Sequence, residues 1–170
     1  EDDISLKNYY AFSKYTSELE AIRCGATILR TNFFGKSLHS SRESFSDWII
    51  RAIKNNDKIE LFNDIFFSPL SISTLCNLIS RIMTRDISGT FNLGSKDGLS
   101  KSEFAFRIAM ELNYLPSKWK EVSSENNQNL IAYRPKNMMM EYTKFEQTFS
   151  INLPILKDEI KKVIKEDNYE

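Results

Sequence analysis

The chain is short of several residue types that particular functions require. Its 170 residues include 5 glycines, 2 cysteines and 1 histidine. So few cysteines and histidines support neither a disulfide framework nor an ordinary zinc site, so we expect no metal. Cys24 and Cys76 each stand in an apolar, helix-like context, which predicts buried, reduced thiols in a cytoplasmic protein.

A surplus of positive charge is also missing. Lys+Arg and Asp+Glu number 23 each, so the formal net charge at pH 7 is +0. Nucleic-acid binders usually carry a basic surface, and we therefore expect no nucleic-acid partner. No apolar run approaches the ~18 residues of a membrane helix, so no membrane association is expected, and the start, E-D-D-I-S-L-K, lacks the pattern of a signal peptide.

The few glycines are also wrongly spaced for a phosphate-binding loop. They stand at positions 25, 35, 89, 94 and 98, and no G-x-x-G-x-x-G spacing occurs among them. Dinucleotide-binding folds hold the cofactor pyrophosphate at such a loop, next to a helix N-terminus. This chain by itself is therefore predicted not to bind a dinucleotide tightly.

The chain does contain an alternation of helical and strand-like segments. Apolar spacing predicts helices over residues 9–23, 44–54, 71–83, 100–113 and 156–166. Short β-prone runs predict strands over residues 26–34, 58–62 and 89–94, the first of them buried on both faces as in a parallel sheet. Residues 63–70 and 114–129 are predicted loops, and Glu18 and Glu20 are expected to face water. Such an alternation indicates an α/β fold.

One stretch near the start, N-Y-Y-A-F-S-K-Y, carries a candidate catalytic pair. Tyr10 and Lys14 are four residues apart, so a helix places both side chains on one face. An ammonium close to a tyrosine favours the phenolate, and the tyrosine can then exchange a proton with a carbonyl or carbinol oxygen. The spacing equally suits an ordinary helix face. Tyr114 and Lys118 repeat it around a proline, which disfavours a helix, and we treat that second pair as a decoy.

The surroundings of the first pair resemble the active-site helix of the extended short-chain dehydrogenase/reductases, whose pattern is roughly N-x-Y-G-x-S-K-x-x-x-E. Four residues match this pattern, namely Tyr10, Ser13, Lys14 and Glu18. Ala11 stands where glycine is common. The match extends beyond the spacing of the tyrosine and the lysine and therefore favours a catalytic helix.

Four further segments resemble the same family in the same order. L-R-T-N-F-F-G is similar to the strand and loop that follow the active-site helix, with Phe34 in place of the usual tyrosine. D-I-F-F-S-P-L-S-I-S-T-L resembles a segment beside the substrate pocket, with Thr74 in place of an acidic residue. G-T-F-N-L-G-S and R-P-K-N-M-M-M-E-Y-T-K-F resemble the family's later blocks. The resemblance therefore covers nearly the whole chain.

The resemblance implies the C-terminal part of a Rossmann-like NAD(P)-binding α/β fold with a small α/β substrate-binding domain. Residues 1–36 would be a remnant of the Rossmann-like domain, with the active-site helix and the following strand. Residues 37–170 would be mainly the substrate-binding domain, with residues 63–95 returning to the Rossmann-like part. The N-terminal nucleotide-binding half would precede residue 1 and is expected to be absent. Binding of the implied cofactor, NADP or NAD, would require that half.

Roles for the reacting centre also follow from the resemblance. Tyr10 would be the general acid that protonates the C4 oxygen of a sugar as hydride arrives from the nicotinamide. Lys14 would activate Tyr10 and hydrogen-bond the nicotinamide ribose. Both residues would thus be catalytic and would also contact the cofactor. Thr31, Asn32 and Phe33 would line the nicotinamide, and Asn32 and Phe33 would also contact the sugar.

Further substrate contacts are implied at a distance in the sequence. Phe67 and Ser68 would form the wall of the substrate pocket. Arg134 would lie near the substrate phosphates, because a planar guanidinium suits a diphosphate. His39 matches no role in the family and is interpreted as a loop residue.

Within that superfamily, the chain is most similar to sugar-nucleotide reductases of the dTDP-4-dehydrorhamnose reductase type. The implied activity is NAD(P)-dependent reduction of a 4-keto sugar nucleotide, with this fragment alone inactive. A nucleotide-sugar epimerase or dehydratase of the same superfamily, or a non-catalytic regulatory relative, would carry a similar sequence. The implied partner is a nucleotide-linked sugar, and a homodimer is one option for the assembly.

Overall fold

A computed structural model of the chain describes residues 8–39, 41–126 and 135–166. Its helices are α1 (Tyr9–Arg23), α2 (Phe45–Asn55), α3 (Ile72–Ile82), α4 (Lys101–Glu111), α5 (Thr143–Phe149) and α6 (Leu156–Glu166). Its strands are β1 (Thr27–Thr31), β2 (Phe33–Phe34), β3 (Glu60–Phe62), β4 (Phe66–Phe67), β5 (Leu70–Ser71), β6 (Gly89–Leu93), β7 (Leu99–Ser100), β8 (Lys120–Val122) and β9 (Asn137–Met138).

Side chains and turn residues explain where the helices begin and end. Ser100 caps α4, and Glu103 completes a capping box, as the sequence predicts. Asn8 caps α1 by accepting a hydrogen bond from the backbone of Ala11 at 2.8 Å. After α1, Gly25 has a φ of 71°, a left-handed conformation that glycine adopts at low cost. These local signals account for the agreement of the helix bounds with the predicted ones.

Parallel pairing organises the strands. β1 and β6 pair in parallel, with Thr27 opposite Gly89 and Thr31 opposite Leu93. Three shorter pairs, β2–β5, β3–β8 and β4–β9, are parallel as well, whereas β4 and β7 are antiparallel. The predicted α/β class with parallel strands is therefore confirmed. β1 is only half-buried, so the prediction of a strand buried on both faces is wrong, because among the described residues β1 pairs on one edge only.

Several short elements depart from the predicted loops. Residues 63–70 contain β4 and the first residue of β5, and residues 114–129 contain β8. Each of these strands has two or three residues and is held by a partner far away in sequence, so no local periodicity marks it. The two cysteines are also exposed rather than buried. Cys24 follows the last turn of α1, and Cys76 lies on the outer side of α3.

Two apolar clusters form the core. The first packs α2, α4 and α6 together around the fully buried Phe104. The second packs α3, β6 and α5 around Phe91, Phe145 and Phe149. Ile160 and Val163 of α6 point inward, as predicted from their helical spacing.

The N-terminus of α3 obtains a carboxylate from a different helix. Ser71 caps α3 by accepting a hydrogen bond from the backbone N–H of Thr74 at 3.2 Å. Thr74 stands where a capping box would place an acidic residue, and the carboxylate of Glu159 from α6 accepts instead. It receives hydrogen bonds from the Ser71 backbone N–H at 2.7 Å and from the Thr74 hydroxyl at 2.8 Å. Since Glu159 is only 3% exposed, its removal would leave buried donors without their partner.

We expect Glu159→Gln to lower the free energy of unfolding by about 1–3 kcal/mol, because a charged acceptor at a helix N-terminus is lost. Urea unfolding at neutral pH measures this difference. Adding Thr74→Asp to the variant should recover part of the loss by restoring a carboxylate within α3. Glu166→Gln is the matched control, because Glu166 accepts from Ser73 at an exposed position. Equal costs for the two Glu→Gln variants would contradict the assignment.

Candidate functional site

The first turns of α1 lie beside the carboxyl end of β1. The turn at Gly25 folds α1 back along β1, and Lys14 stands about 13 Å along the helix from its end at ~1.5 Å per residue. Thr31 stands at a similar distance along the strand, about 13 Å at ~3.3 Å per residue. An ion pair of 2.6 Å between Glu18 of α1 and Arg30 of β1 joins the two elements, at positions closer to the Gly25 turn than Lys14 and Thr31 are. The prediction that Glu18 faces water is therefore wrong, because its side chain, 18% exposed, pairs with a strand residue.

Tyr10 and Lys14 are neighbours on α1. The Nζ atom of Lys14 lies 5.8 Å from the centre of the Tyr10 ring. Tyr10 is 72% exposed, so its hydroxyl is accessible to a ligand. The arrangement places an ammonium near the ring of an exposed tyrosine, and the catalytic role of the pair stays a prediction.

Asn32 lies at the point where β1 ends. Its Nδ2 donates a hydrogen bond to the carbonyl oxygen of Met138 at 3.0 Å, and its own carbonyl accepts from the backbone N–H of Leu70 at 3.0 Å. Its Oδ1 is buried and has no hydrogen-bond partner among the described residues. A buried acceptor without a donor costs about 1–3 kcal/mol, so this atom suits a donor from a ligand.

The neighbours of Asn32 differ in their exposure. Thr31 is half-buried, and its hydroxyl donates to the carbonyl oxygen of Asn32 at 3.2 Å. Phe33 is 59% exposed, so its ring offers an accessible apolar surface. The three residues predicted to line a nicotinamide therefore follow one another at the carboxyl end of β1, close to the first turns of α1.

Phe67 and Ser68 lie below the surface. The Phe67 ring is 4% exposed and meets the ring of Phe104 at a centroid distance of 5.0 Å. The Ser68 hydroxyl accepts from the backbone N–H of Met140 at 2.8 Å. Asn32 and Ser68 thus hold the same segment, residues 138–140, and their predicted contact with substrate stays a prediction. Arg134 falls outside the described residues.

A cleft of about 350 Å³ borders that segment at Met138, and sequence reasoning did not find it. Aromatic and aliphatic side chains dominate its lining, together with one lysine and one glutamate: Phe45, Trp48, Glu60, Leu61, Phe62, Ile65, Lys101, Pro135 and Met138. The Nζ atom of Lys101 lies 4.5 Å from the centre of the Phe45 ring. The cleft therefore combines aromatic surface with a positive charge, and it reaches Met138, whose carbonyl binds Asn32.

The carboxylate of Asp64 binds residues on both sides of the segment 125–135. Its carboxylate accepts from the Ser123 hydroxyl at 2.7 Å and from the backbone N–H of Ser124 at 2.9 Å, and it lies 3.4 Å from the Nζ atom of Lys136. Burial raises the pKa of Asp64, but the hydrogen bonds from Ser124, Ser123 and Lys136 outweigh it and lower the pKa to about 2. Asp64 thereby secures the chain on either side of the cleft residue Pro135.

Acid should remove this contribution from Asp64. A carboxyl whose folded pKa is depressed stabilises the fold above its unfolded pKa of ~3.9 and loses that effect as the pH falls toward 2. We expect Asp64→Asn to cost about 1–2 kcal/mol at pH 7, and the two proteins to converge near pH 2. Urea unfolding across this range measures the difference. Asp57→Asn, at a 40% exposed side chain, is the control, and a pH-independent cost of Asp64→Asn would contradict the account.

The second tyrosine–lysine pair supports a helix end. Tyr114 donates its hydroxyl hydrogen to Oδ1 of Asn56 at 2.8 Å, and Lys118 donates to the carbonyl oxygen of Asn56 at 3.1 Å. Asn56 ends α2 in a left-handed conformation. The two side chains thus have structural partners in place of a ligand. His39 lies on an exposed loop, where its Nδ1 is 2.8 Å from the Ser41 hydroxyl.

The described residues contain neither a cluster arranged to hold a metal ion nor a helix suited to cross a membrane. No group of three or more His, Cys, Asp and Glu side chains there is arranged to hold a metal ion. None of the helices in that part of the chain has the length and apolar character to cross a membrane.

A family model and several solved structures match the chain. A family model described as RmlD substrate binding domain matches residues 1–169. No curated protein matches the chain in sequence. The dTDP-4-dehydrorhamnose reductase from Bacillus anthracis, solved in complex with NADP, is 23% identical with a TM-score of 0.84, and the match covers 97% of this chain and 57% of that chain.

Two other solved structures show the same fold. The dTDP-4-dehydrorhamnose reductase from Yersinia enterocolitica is 25% identical with a TM-score of 0.81, and the match covers 96% of this chain and 58% of that one. The dTDP-glucose 4,6-dehydratase from Bacillus anthracis, solved in complex with NAD, is 13% identical with a TM-score of 0.77, covering 98% and 54%. The chain therefore spans less than two thirds of these proteins, and its fold is that of the corresponding part of Rossmann-like reductases.

Proposed function

This chain belongs to the RmlD substrate binding domain family, and from that premise we propose that it supplies the substrate site and the proton donor of an NAD(P)-dependent sugar-nucleotide reductase. The proposed substrate is a dTDP-linked 4-keto sugar, because the similar reductases are named for dTDP-4-dehydrorhamnose. The observation that carries the proposal is that Tyr10 and Lys14 are neighbours on α1, which the Glu18–Arg30 ion pair joins to β1 near its carboxyl end. Ligands of open parallel sheets bind outside that end of the strands.

The proposed proton step uses both members of the pair. NADPH or NADH, when bound, supplies the hydride that reduces the C4 carbonyl of the sugar. The Tyr10 hydroxyl gives its proton to the oxygen at C4 as negative charge develops there. The positive charge of Lys14, a neighbour on α1, attracts the negative charge that is left on Tyr10 after the transfer.

The residues at the end of β1 fit the nicotinamide part of such a cofactor. Asn32 offers a buried acceptor without a described partner, which suits the amide hydrogens of a nicotinamide or a sugar hydroxyl. Phe33 offers an exposed ring against which a flat ring or a sugar face can pack. The pyrophosphate part needs a glycine-rich loop, which this sequence does not contain. The chain therefore acts together with a dinucleotide-binding half.

The cleft fits the nucleotide part of the substrate. Phe45, Trp48 and Phe62 present aromatic surface on which a base can stack, and a volume of about 350 Å³ suits a ligand of that size. The ammonium of Lys101 suits a diphosphate, and Arg134 is proposed as a second phosphate ligand. Met138 lines this cleft and its carbonyl accepts from Asn32, which supports a ligand that runs from a base in the cleft toward a sugar near Asn32.

The test is a reductase assay with the holoprotein, meaning this chain together with its dinucleotide-binding half. We expect NADPH oxidation equal in amount to the keto sugar consumed when dTDP-4-dehydrorhamnose is supplied. The same keto sugar without dTDP should react far more slowly, because the aromatic cleft then has nothing to bind. Conversion of this sugar nucleotide to an isomer without net NADPH oxidation would instead indicate an epimerase. Loss of water from dTDP-glucose without net NADPH oxidation would indicate a dehydratase, and no reaction with either substrate would indicate a regulatory relative.

A further inference from the structure

The side chain of Arg30 binds the carboxylate of Glu18, which lies one helical turn from Lys14. Both carboxylate oxygens of Glu18 accept from the guanidinium of Arg30, with distances of 3.0 and 3.1 Å from Nε and 2.6 Å from Nη2. The side chains of Arg30 and Glu18 are only 27% and 18% exposed. A two-pronged contact in partly buried surroundings is the strong form of an ion pair. Glu18 is thereby fixed toward the strand.

Glu18 would otherwise be the natural partner of Lys14. The two residues are four apart on α1, so their side chains occupy neighbouring positions on one helix face. A carboxylate and an ammonium at this spacing attract each other by about 0.2–0.5 kcal/mol on an exposed helix, and more where one of them is partly buried. No ion pair between Lys14 and Glu18 occurs within the described residues, and the Lys14 ammonium lies over the Tyr10 ring instead.

We propose that Arg30 is a positioning residue for the proton step, because it occupies Glu18 and so keeps the Lys14 ammonium beside Tyr10. This inference rests on the proposed function, in which Lys14 matters only when it is close to Tyr10. The planar guanidinium suits this role, since it binds both carboxylate oxygens at once and its positive charge offsets the attraction of Glu18 for Lys14.

A simpler role for Arg30 has to be separated from this one. The ion pair also joins α1 to β1, and α1 has no buried residue of its own to hold it. Removal of Arg30 could therefore displace the helix as a whole. The two roles predict different results when Arg30 and Glu18 are both replaced. If Arg30 only anchors α1, the helix stays displaced in the double variant. If Arg30 keeps Glu18 away from Lys14, the double variant lacks the competing carboxylate and Lys14 returns to Tyr10.

The experiment follows the Lys14 side chain by NMR in the 170-residue chain. An ammonium above an aromatic ring places its ε-methylene protons in the ring current, and Tyr10→Leu supplies the reference without that displacement. In Arg30→Gln we expect about half or more of the upfield displacement to be lost, as Lys14 turns to the released Glu18. In the double variant Arg30→Gln/Glu18→Gln the displacement should return, and Arg30→Lys should largely keep it.

Two outcomes of this experiment would overturn the proposal. An unchanged displacement in Arg30→Gln overturns the proposal, because Glu18 then does not compete for Lys14. A displacement that stays low in the double variant also overturns it and makes Arg30 an anchor of α1. These readings need no cofactor and no turnover, so they stand apart from the reductase assay. A failed assay with a restored displacement would sink the proposed function alone.

Discussion

Tyr10→Phe is expected to lower kcat for reduction of the 4-keto sugar nucleotide by about 10²–10⁴-fold in the holoprotein, the usual contribution of a positioned acid. The variant removes one hydroxyl and keeps the ring. Because Tyr10 is 72% exposed, little packing is lost with that hydroxyl. The substrate KM should change far less than kcat, since the proton is transferred only in the transition state. Steady-state rates of NADPH oxidation measure both constants.

The decoy pair provides the matched control for this variant. Tyr114 has the same four-residue spacing to a lysine as Tyr10, but its hydroxyl binds the end of α2 through Asn56. Tyr114→Phe should therefore leave kcat within about twofold of the natural protein and cost no more than ~1 kcal/mol of stability. If both variants kept full activity, Tyr10 would not be the acid.

Phe104→Ala is expected to lower the free energy of unfolding by about 3–5 kcal/mol, the range for truncation of a buried phenylalanine. Phe104 is 0% exposed. Its ring meets the rings of Phe34 and Phe67 at 5.0 Å each and that of Phe45 at 5.8 Å, so truncation removes the centre of the aromatic cluster. Thermal or urea unfolding of the 170-residue chain measures the loss.

Phe66→Ala is the control for that substitution. Phe66 precedes Phe67 in β4 but is 37% exposed, so its truncation should cost about 1 kcal/mol or less. Phe104→Ala should also weaken ligand binding in the cleft, because Phe45 packs on Phe104 and forms one wall of the cleft. Similar losses of stability for the two variants would contradict the central place given to Phe104.

The parts of the fold that the sequence predicts well are those with local signals. α1 has the predicted bounds because nearby residues set its start and its end, with Asn8 as the cap and Gly25 in the turn that follows. The two-residue strands β4 and β9 could not be predicted in the same way. They exist because Phe66 lies opposite Asn137, and these two residues are 71 positions apart in the sequence (137 − 66). The exposure of Cys76 was missed because α3 carries apolar residues on its exposed side too, Ile72 and Ile79, so an apolar neighbourhood in sequence does not imply burial there.

The same distinction between local and distant signals applies to the candidate site. The closeness of Tyr10 and Lys14 follows from one helix and is seen in the structure, although their catalytic role stays a prediction. The cleft draws Trp48, Phe62 and Lys101 from three separate segments, so no single motif announces it. The capture of Glu18 by Arg30 was missed because an acidic residue on an amphipathic helix is ordinarily solvated.

The most direct test of the central claim follows hydride into the product. The holoprotein is supplied with dTDP-4-dehydrorhamnose and with NADPH that carries deuterium at the transferable position of nicotinamide C4. The account predicts that the product sugar carries one deuterium at C4, seen by mass spectrometry and NMR, and that Tyr10→Phe slows its appearance by about 10²-fold or more. A product without deuterium at C4, or label transfer at an unchanged rate in Tyr10→Phe, would contradict it.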